Sequence, residues 1–360
     1  MSSEALRRPE SNWAWRVCHV VVCTLSFALT FAALCWGIHE ALPFPDVPIV
    51  SPKVEHLAAH GDRYDTLIIG SSRLYYQFIP FIFDELTSKA GIPTKTFNAA
   101  VAGMGPPEDA FVVDQILRRP PKHLRWVFIE LARLRLSLDP DKIGTVRSVY
   151  WHDWPRLTVL FRRALVQKKK RRWTEALAEL RQPLTDFADH LRLFAQNQTN
   201  LGRASIFADR LRRPAARAGF NVAALGPKGD GWMRTGRPEQ IAGRELAEYE
   251  RSLADRAEAP AVKDFGDPVS QAALETILRK IEMAGARPVL IVPPTTGKQH
   301  FFPQRERARS ALVLDFSDMR KYPELYRTEY RLDMEHLNTA GAEVFTRVLA
   351  EEFQRATAAP

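Results

Sequence analysis

The sequence predicts an α/β domain built on a parallel sheet, preceded by a membrane-spanning helix and interrupted by a largely helical, basic insertion. Two observations predict the sheet. Short apolar runs alternate with helical patterns from residue 61 to about residue 135, and the same alternation resumes over residues 268–355. A third observation predicts the membrane helix, because residues 17–38 contain no Asp, Glu, Lys or Arg.

The uncharged run 17–38 is long enough to cross a bilayer, since its 22 residues at about 1.5 Å each cover the roughly 30 Å hydrocarbon core. Trp13, Trp15 and Trp36 flank it as interfacial residues. Arginines precede the run and acidic residues follow it, which predicts a cytoplasmic tail over 1–16 and a periplasmic or extracellular domain anchored in the cell (inner) membrane. A cleaved signal peptide is the alternative, but the run is long for one and no small-residue cleavage site follows closely.

Residues 39–60 contain four prolines and predict a stiff, extended stalk between the membrane helix and the folded domain. The domain itself is predicted over residues 61–360. All three cysteines, Cys18, Cys23 and Cys35, lie in the apolar run, so the domain has no cysteine for a disulfide or a cysteine zinc site. A domain without thiols suits an oxidising compartment.

Three of the four predicted strands contain short, continuous apolar runs, which are typical of strands buried on both faces of a parallel sheet. Segments with helical spacing separate them. We expect strands at 65–69, 94–98, 126–131 and 288–293, and helices at 79–90, 107–118, 269–285 and 340–353.

The insertion, at about residues 136–267, carries the excess positive charge of the chain. The formal net charge is +9, and residues 156–217 alone hold 15 Lys and Arg against 5 Asp and Glu. A basic run is usually a solvated helix face, and contact with anionic lipid headgroups or an acidic glycan is the alternative. Because the charge is confined to one segment, no nucleic-acid partner is expected. Helical spacing predicts helices at 161–180, with Lys168–Arg172 in its middle, and at 186–194 and 204–211.

The candidate nucleophile is Ser72, which follows the first strand in the sequence Gly70-Ser71-Ser72-Arg73. Ligand chemistry in open α/β sheets collects beyond the carboxyl ends of the strands, which is where this serine is predicted to lie. A simple turn is the alternative interpretation, because glycine and serine are common turn residues.

A serine hydroxyl becomes a good nucleophile when a base takes its proton and a third group orients that base. Asp333 and His336 are the candidates for these roles, since they lie three residues apart just ahead of the last helix. The chemistry also needs N–H donors for an oxyanion, and small residues let the backbone approach a substrate. The segment Asn98–Gly105, which directly follows the second strand, meets that need.

These three blocks, Gly70-Ser71-Ser72, Asn98–Gly103 and Asp333-x-x-His336, resemble in order and placing those of the SGNH (GDSL-like) hydrolase superfamily. The resemblance implies a three-layer α/β/α flavodoxin-like domain with Ser72 as nucleophile. It also implies the Ser72 and Gly103 N–H groups as oxyanion donors, His336 as base and Asp333 as its orienting partner. No cofactor and no metal site are expected.

Two departures from the usual pattern refine the resemblance. Ser71 stands where an aspartate is usual, which is similar to the membrane-anchored branch that includes the D-alanyl-transfer protein of teichoic acid synthesis and alginate O-acetyltransferases. The segment Ile129-Glu130-Leu131-Ala132 replaces the usual G-x-N-D, so the asparagine oxyanion donor is missing. The candidates to replace that donor are Arg73, Tyr75 and Arg133.

The resemblance implies a serine O-acyltransferase, commonly an acetyltransferase, acting on cell-envelope or exported polysaccharide. A polytopic membrane O-acyltransferase that passes the acyl group outward is the expected partner. The alternatives are an esterase that releases acyl groups to water, and a non-catalytic glycan-binding or scaffold protein on the same fold. Tyr150, Trp151 and Trp154 are either a sugar-stacking platform or part of a satellite core.

Overall fold

A five-stranded parallel sheet forms the centre of the molecule, as the computed structural model shows. The structure describes residues 13–42, 45–166, 173–200, 223–235, 240–258 and 262–358. The strands are β1 Thr66–Ile69, β2 Thr96–Asn98, β3 Trp126–Glu130, β4 Val262–Asp264, β5 Arg287–Val292, β6 Gln299–Phe301 and β7 Leu312–Asp315. The helices are α1 Trp13–Ala41, α2 Val50–His60, α3 Ser72–Gln77, α4 Pro80–Lys89, α5 Glu108–Leu117, α6 Val146–Tyr150, α7 Trp154–Ala164, α8 Trp173–Gln198, α9 Gly243–Glu258, α10 Pro268–Met283 and α11 Thr339–Ala358.

The strand order in the central sheet is β2-β1-β3-β5-β7, and every neighbouring pair is parallel. β4 and β6 form a separate two-stranded parallel sheet. The four strands predicted from the sequence are confirmed, with bounds that differ by no more than two residues. The parallel arrangement brings the carboxyl ends of all five strands to one edge, where the segments that follow them meet.

Helices cover both faces of the sheet, and β3 shows how its residues divide between them. Val127 and Ile129 belong to the core on the face covered by α5 and α10. Phe128 points the other way, into the core formed with α4 and α11. Because side chains alternate along a strand, a strand buried on both faces is mostly apolar, which explains the apolar run in β3.

Helix α1 is long and apolar enough to cross a membrane by length and composition, although a signal sequence would pass the same test. Its side chains are almost all exposed. It reaches the rest of the structure at the end of α8, where the Asn200 side chain donates a hydrogen bond of 3.0 Å to the Cys35 carbonyl.

The extended stalk predicted for residues 39–60 is wrong over residues 50–60, which form α2. Val47, Val50 and Leu57 are buried in the main core, so this segment belongs to the folded domain. Pro52 lies in the first turn of α2, where a missing N–H disrupts no helical hydrogen bond. The domain therefore begins well before Gly61.

The described part of the insertion is largely helical, but its helices differ from those predicted. Helix α7 ends at Ala164 and α8 begins at Trp173, so the single predicted helix 161–180 is wrong. The predicted helix 186–194 lies inside α8. The basic run Lys168–Arg172 and the predicted helix 204–211 lie outside the described residues.

Candidate active site

Ser72 is the first residue of α3 and lies directly beyond the carboxyl end of β1. The Ser71 side chain caps the helix by accepting a hydrogen bond from the Arg73 N–H. Gly70 is required at the strand end, because a Cβ there would lie 2.8 Å from the Cβ and Oε2 of Glu130. The tight turn therefore delivers a half-buried Ser72 to the sheet edge.

The structure brings Ser72, His336 and Asp333 into one hydrogen-bonded chain. His336 Nε2 lies 2.7 Å from Ser72 Oγ, and His336 Nδ1 lies 2.9 Å from both carboxylate oxygens of Asp333. These distances are within the range that a nucleophile, base and orienting carboxylate require. The sequence separation between Ser72 and His336 is bridged because α11, which follows the histidine, packs against α3 and α4.

The Asp333–His336 turn holds the carboxylate in its ionised form. Partial burial opposes ionisation of Asp333, but hydrogen bonds from the His336 ring and from the N–H groups of Glu335 and His336 outweigh it and lower the pKa of Asp333 to about 2. A charged carboxylate fixes the proton of the ring on Nδ1 and leaves Nε2 free to accept the proton of Ser72. The Tyr76 ring lies edge-on to His336 with centroids 6.2 Å apart.

The loop after β2 carries Gly103, whose φ of +71° favours glycine. A hydrogen bond of 2.9 Å from the Val101 N–H to the Gly70 carbonyl joins this loop to the end of β1. The buried Asn98 side chain donates to the carbonyls of Leu74 and Phe78 and accepts from the Ala100 N–H. Gly103 is exposed at the end of this fixed segment.

Lys53 of α2 is a buried cation beneath this loop, and sequence reasoning missed it. Its Nζ donates to the carbonyls of Asn98 at 2.8 Å, Ala100 at 2.6 Å and Gly231 at 2.8 Å. The same atom lies 4.2 Å from the centroid of the Tyr75 ring. Burial lowers the pKa of Lys53 well below its usual value, and the charge of Asp230 opposes that shift. One side chain thus joins α2, the loop and the nucleophile helix.

Replacing Lys53 with methionine is expected to lower the free energy of unfolding by about 2–4 kcal/mol, because three buried carbonyls lose their donor. Chemical denaturation of the full-length protein in detergent would measure this. The matched variant Lys95→Met changes an exposed lysine and should stay within about 0.5 kcal/mol of the wild type. Equal stability of Lys53→Met and Lys95→Met would contradict the bridging role of Lys53.

Glu130, the last residue of β3, holds the turn that carries Ser72 through hydrogen bonds and an ion pair. Its carboxylate accepts hydrogen bonds from the Ser71 N–H at 2.7 Å, the Ser71 hydroxyl at 3.0 Å and Arg73 Nε at 2.8 Å. It also forms an ion pair of 2.5 Å with Arg73 Nη2, and its side chain is 2% exposed. Glu130 therefore fixes the turn that carries Ser72.

We expect Glu130→Gln to lower kcat by about 10-fold to 100-fold with little change in KM, because the turn is loosened while the surface that meets substrate is kept. Loss of the charge also leaves Arg73 without its buried partner, at a cost of about 1–3 kcal/mol in stability. Steady-state kinetics and denaturation measure the two effects. Glu85→Gln, which breaks an exposed pair with Lys89, serves as the control and should change neither quantity appreciably.

Asp109 in the first turn of α5 is a second buried carboxylate near this network. Burial raises the pKa of Asp109 to about 7, with Glu108 and Glu130 adding to the shift while the Ala110 N–H and Arg156 oppose it. Its side chain accepts a hydrogen bond of 2.6 Å from the Ala110 N–H. The neighbouring Glu108 forms a bidentate ion pair with Arg147.

A raised carboxyl pKa means that the folded state binds this proton more tightly than the unfolded state. The stabilisation is complete below the unfolded pKa near 3.8 and is lost as the pH rises through about 7. Asp109→Asn should therefore stabilise the protein relative to wild type, and by about 2–3 kcal/mol more at pH 8 than at pH 5. Denaturation at both pH values tests this, with the exposed Asp141→Asn as the control. A pH-independent difference would contradict the shift.

The three residues proposed to replace the missing oxyanion donor have other contacts. Tyr75 is buried, and burial raises its pKa to about 12. Arg133 pairs with Asp264 at 3.0 Å. Arg73 is held by Glu130 and lies 3.9 Å from the exposed carboxylate of Glu335. Of the three, Arg73 is the one that adjoins Ser72 in the same helix.

Of the two interpretations of Tyr150, Trp151 and Trp154, the sugar-stacking platform is wrong for Tyr150 and Trp151, which pack in a core. Tyr150 and Trp151 are 6% and 7% exposed and belong to the main core, so neither presents a free ring to a sugar. Trp154 is exposed and its ring contacts Phe194. The Trp151 ring stacks on His152 at a centroid distance of 3.6 Å.

His152 and His190 form a buried pair, with His152 Nε2 2.8 Å from His190 Nδ1. Burial, together with the neighbouring His190, lowers the pKa of His152 to about 3, although the Ser148 carbonyl opposes the shift. Both side chains are therefore shielded from solvent. Within the described part of the chain, no group of three or more His, Cys, Asp or Glu side chains is placed to hold a metal ion.

No protein-family model matches the chain, and no curated protein matches it.

Proposed function

We propose that this protein is a membrane-tethered serine O-acyltransferase of the SGNH hydrolase type, which transfers an acyl group, commonly acetyl, to a cell-envelope or exported polysaccharide. The observation that carries the proposal is the chain of hydrogen bonds from Ser72 Oγ through His336 to Asp333. A hydroxyl, an imidazole and an ionised carboxylate in this order form the arrangement that serine acyl-transfer enzymes use on unrelated folds.

The fold supports the same proposal. Counted along the chain, the central strands have the order 2-1-3-4-5, which is the flavodoxin-like order. The three blocks that resemble the superfamily lie on the elements that the resemblance implies: Ser72 after β1, Gly103 after β2, and Asp333 and His336 before α11. Ser72 is half-buried and accessible, as a nucleophile must be.

The first half of the reaction forms an acyl-serine. His336 Nε2 takes the proton of Ser72 as Oγ attacks the acyl carbonyl, and the carbonyl oxygen becomes an oxyanion. The N–H groups of Ser72 and Gly103 are the proposed donors for that oxyanion. His336 then gives its proton to the leaving group, whose bond to the acyl carbon breaks, while Asp333 stabilises the transient imidazolium.

The second half releases the acyl group to an acceptor hydroxyl. His336 takes the proton of the acceptor as its oxygen attacks the acyl-serine, and the proton returns to Ser72 Oγ when the ester bond to serine breaks. A sugar hydroxyl as acceptor gives an acylated glycan, and water gives a free acid. Transfer and hydrolysis therefore share every residue and differ only in what reaches the acyl-serine.

The membrane helix also bears on where the catalytic domain lies and on which protein supplies the acyl group. With α1 as an uncleaved anchor and the N-terminus in the cytoplasm, the catalytic domain lies in the periplasm or outside the cell. Acyl donors made in the cytoplasm would then have to cross the membrane, so a polytopic membrane O-acyltransferase that supplies the acyl group is the proposed partner.

The test is to incubate the full-length protein in detergent with an activated acetyl ester, with and without polysaccharide. Acetylated glycan supports transfer, and acetate alone in the presence of glycan supports the esterase instead. If neither product exceeds that of Ser72→Ala, the enzyme proposal fails and a non-catalytic glycan-binding role takes its place.

A further inference from the structure

Arg331 is a buried cation next to the turn that carries Asp333 and His336. It is 0% exposed, and its Nη2 donates a hydrogen bond of 2.6 Å to the Met334 carbonyl. Arginine is almost never fully buried unless it is paired, because taking its charge out of water is costly. Burial lowers the pKa of Arg331, and the charges of Glu335 and Asp333 are among those that oppose the shift. The cation is therefore compensated by groups of the turn itself.

The Met334 carbonyl belongs to a peptide unit whose other end bonds the Asp333 carboxylate. The N–H of that unit is the Glu335 N–H, which donates to Asp333 Oδ1 at 2.8 Å. In a trans peptide the carbonyl oxygen and the N–H point in opposite directions. The unit therefore bridges the Arg331 guanidinium to the Asp333 carboxylate, and each hydrogen bond polarises the peptide in the sense that strengthens the other.

The His336 ring is oriented by the same carboxylate. Both carboxylate oxygens of Asp333 lie 2.9 Å from His336 Nδ1, and Oδ1 also accepts from the His336 N–H at 2.8 Å. Rotation of the peptide that Arg331 holds would withdraw one of the N–H donors that fix the carboxylate. Because Arg331 is 0% exposed, it cannot touch a substrate, so its effect on the site runs through Asp333.

Helix α9 of the insertion holds the guanidinium in place through Tyr249. This ring is fully buried, and the guanidinium carbon of Arg331 lies 4.9 Å from its centroid, within the range of a cation–π contact. The Tyr249 hydroxyl donates to the Tyr326 carbonyl at 2.9 Å, and the Tyr326 hydroxyl donates to the Phe316 carbonyl at 2.8 Å. Because Phe316 directly follows β7, the contacts run from the sheet through Tyr249 and Arg331 to the turn.

Two backbone contacts join the insertion to the same segment. The Ile241 N–H donates to the Arg331 carbonyl at 2.9 Å. The Met334 N–H donates to the Glu245 carboxylate of α9 at 3.4 Å. The described end of the insertion therefore packs against the turn that carries the base.

We propose that Arg331 is a positioning residue for Asp333 and His336, and that α9 of the insertion supplies the aromatic face that keeps Arg331 in place. The guanidinium holds the carbonyl end of the Met334–Glu335 peptide, so that the N–H end orients the carboxylate against the ring. The effect on catalysis rests on the proposed function, whereas the orientation of the ring does not.

The kinetic test is steady-state turnover of an activated acetyl ester by full-length variants in detergent. Arg331→Met keeps most of the buried volume and removes the donor, so it should lower kcat by about 10-fold to 100-fold and change KM by less than about 3-fold. Arg331→Lys, which keeps the charge and a donor, should recover part of the loss. The exposed Arg327→Met, four residues earlier, is the matched control and should have wild-type kinetics.

A second measurement reports the orientation of the ring without any turnover. A proton on His336 Nδ1 that is hydrogen-bonded to Asp333 gives a low-field ¹H NMR signal, which is assigned by its absence in His336→Gln. We expect the signal in the wild type, in Ser72→Ala and in Arg331→Lys, and we expect a folded Arg331→Met to lose it or to shift it to higher field. A wild type with the signal but without turnover would refute the catalytic proposal, and the signal of Arg331→Met would still decide this one.

Because Arg331→Met could unfold the chain, Tyr249→Phe accompanies it, keeping the buried ring and removing only the hydroxyl that bonds Tyr326. It should lower kcat by about 3-fold to 10-fold and shift the His336 signal to higher field. The proposal is overturned if a folded Arg331→Met keeps both the signal and the wild-type kcat, or if Arg331→Lys loses as much as Arg331→Met. Should Arg331→Met not fold, an unchanged signal and kcat in Tyr249→Phe overturn it.

Discussion

Replacing Ser72 with alanine is expected to lower kcat/KM for an activated acetyl ester by at least about 10⁴-fold, because the hydroxyl that bonds His336 is removed. The hydroxyl is the atom that accepts the acyl group, so its removal leaves only the weak acceleration that binding and oxyanion donors provide. Stability should change by less than about 1 kcal/mol, since Ser72 is only half-buried and sits on the surface of α3.

The measurement is initial-rate kinetics of the purified full-length protein, with unfolding followed in parallel. Ser88→Ala, which removes an exposed hydroxyl at the end of α4, is the matched control and should retain full activity. A Ser72→Ala variant with wild-type rates would show that the acyl group is taken by another residue.

His336→Ala is expected to lower the rate of acylation by about 10³-fold to 10⁴-fold, because Ser72 then has no base to take its proton. Asp333→Asn should also lower the rate of acylation. The neutral amide cannot stabilise the imidazolium, and it does not fix the proton on Nδ1 as the carboxylate does. Added imidazole should restore part of the activity of His336→Ala, because the deletion leaves room for a free base beside Ser72.

The exposed His123→Ala is the control for removal of a histidine, and imidazole should not change its rate. Combining Ser72→Ala with His336→Ala should cost no more than the more severe single change, because the two residues act as a unit. Additive losses would contradict a shared mechanism.

The sequence predicted four of the five central strands, because β1, β3 and β5 contain continuous apolar runs and the alternation of strand and helix patterns includes β2. It missed β7, whose four residues form an edge strand with Val313 exposed on one side, so the run is neither long nor wholly apolar. It also misread α2, because prolines spaced along 43–52 resemble an extended linker. Pro52 is compatible with a helix only because it falls in the first turn.

Part of the candidate site was predictable, because the types of its residues indicate their chemistry. Ser72, Asp333 and His336 are the residue types that acyl transfer needs, and the strand pattern placed them at one edge. Lys53 was not predictable, because a lysine in a linker gives no sign that three backbone carbonyls will surround it. The role of Glu130 was not predictable either, since its bonds to Ser71 and Arg73 depend on the register of β1 against β3.

The measurement that tests the central claim most directly is mass spectrometry of the full-length protein after brief exposure to an activated acetyl ester. The account predicts one added acetyl group, located by fragmentation on the peptide that contains Ser72, in the wild type and not in Ser72→Ala. Addition of polysaccharide should remove the group from the serine. Absence of the adduct at early times, or its location on a residue other than Ser72, would contradict the account.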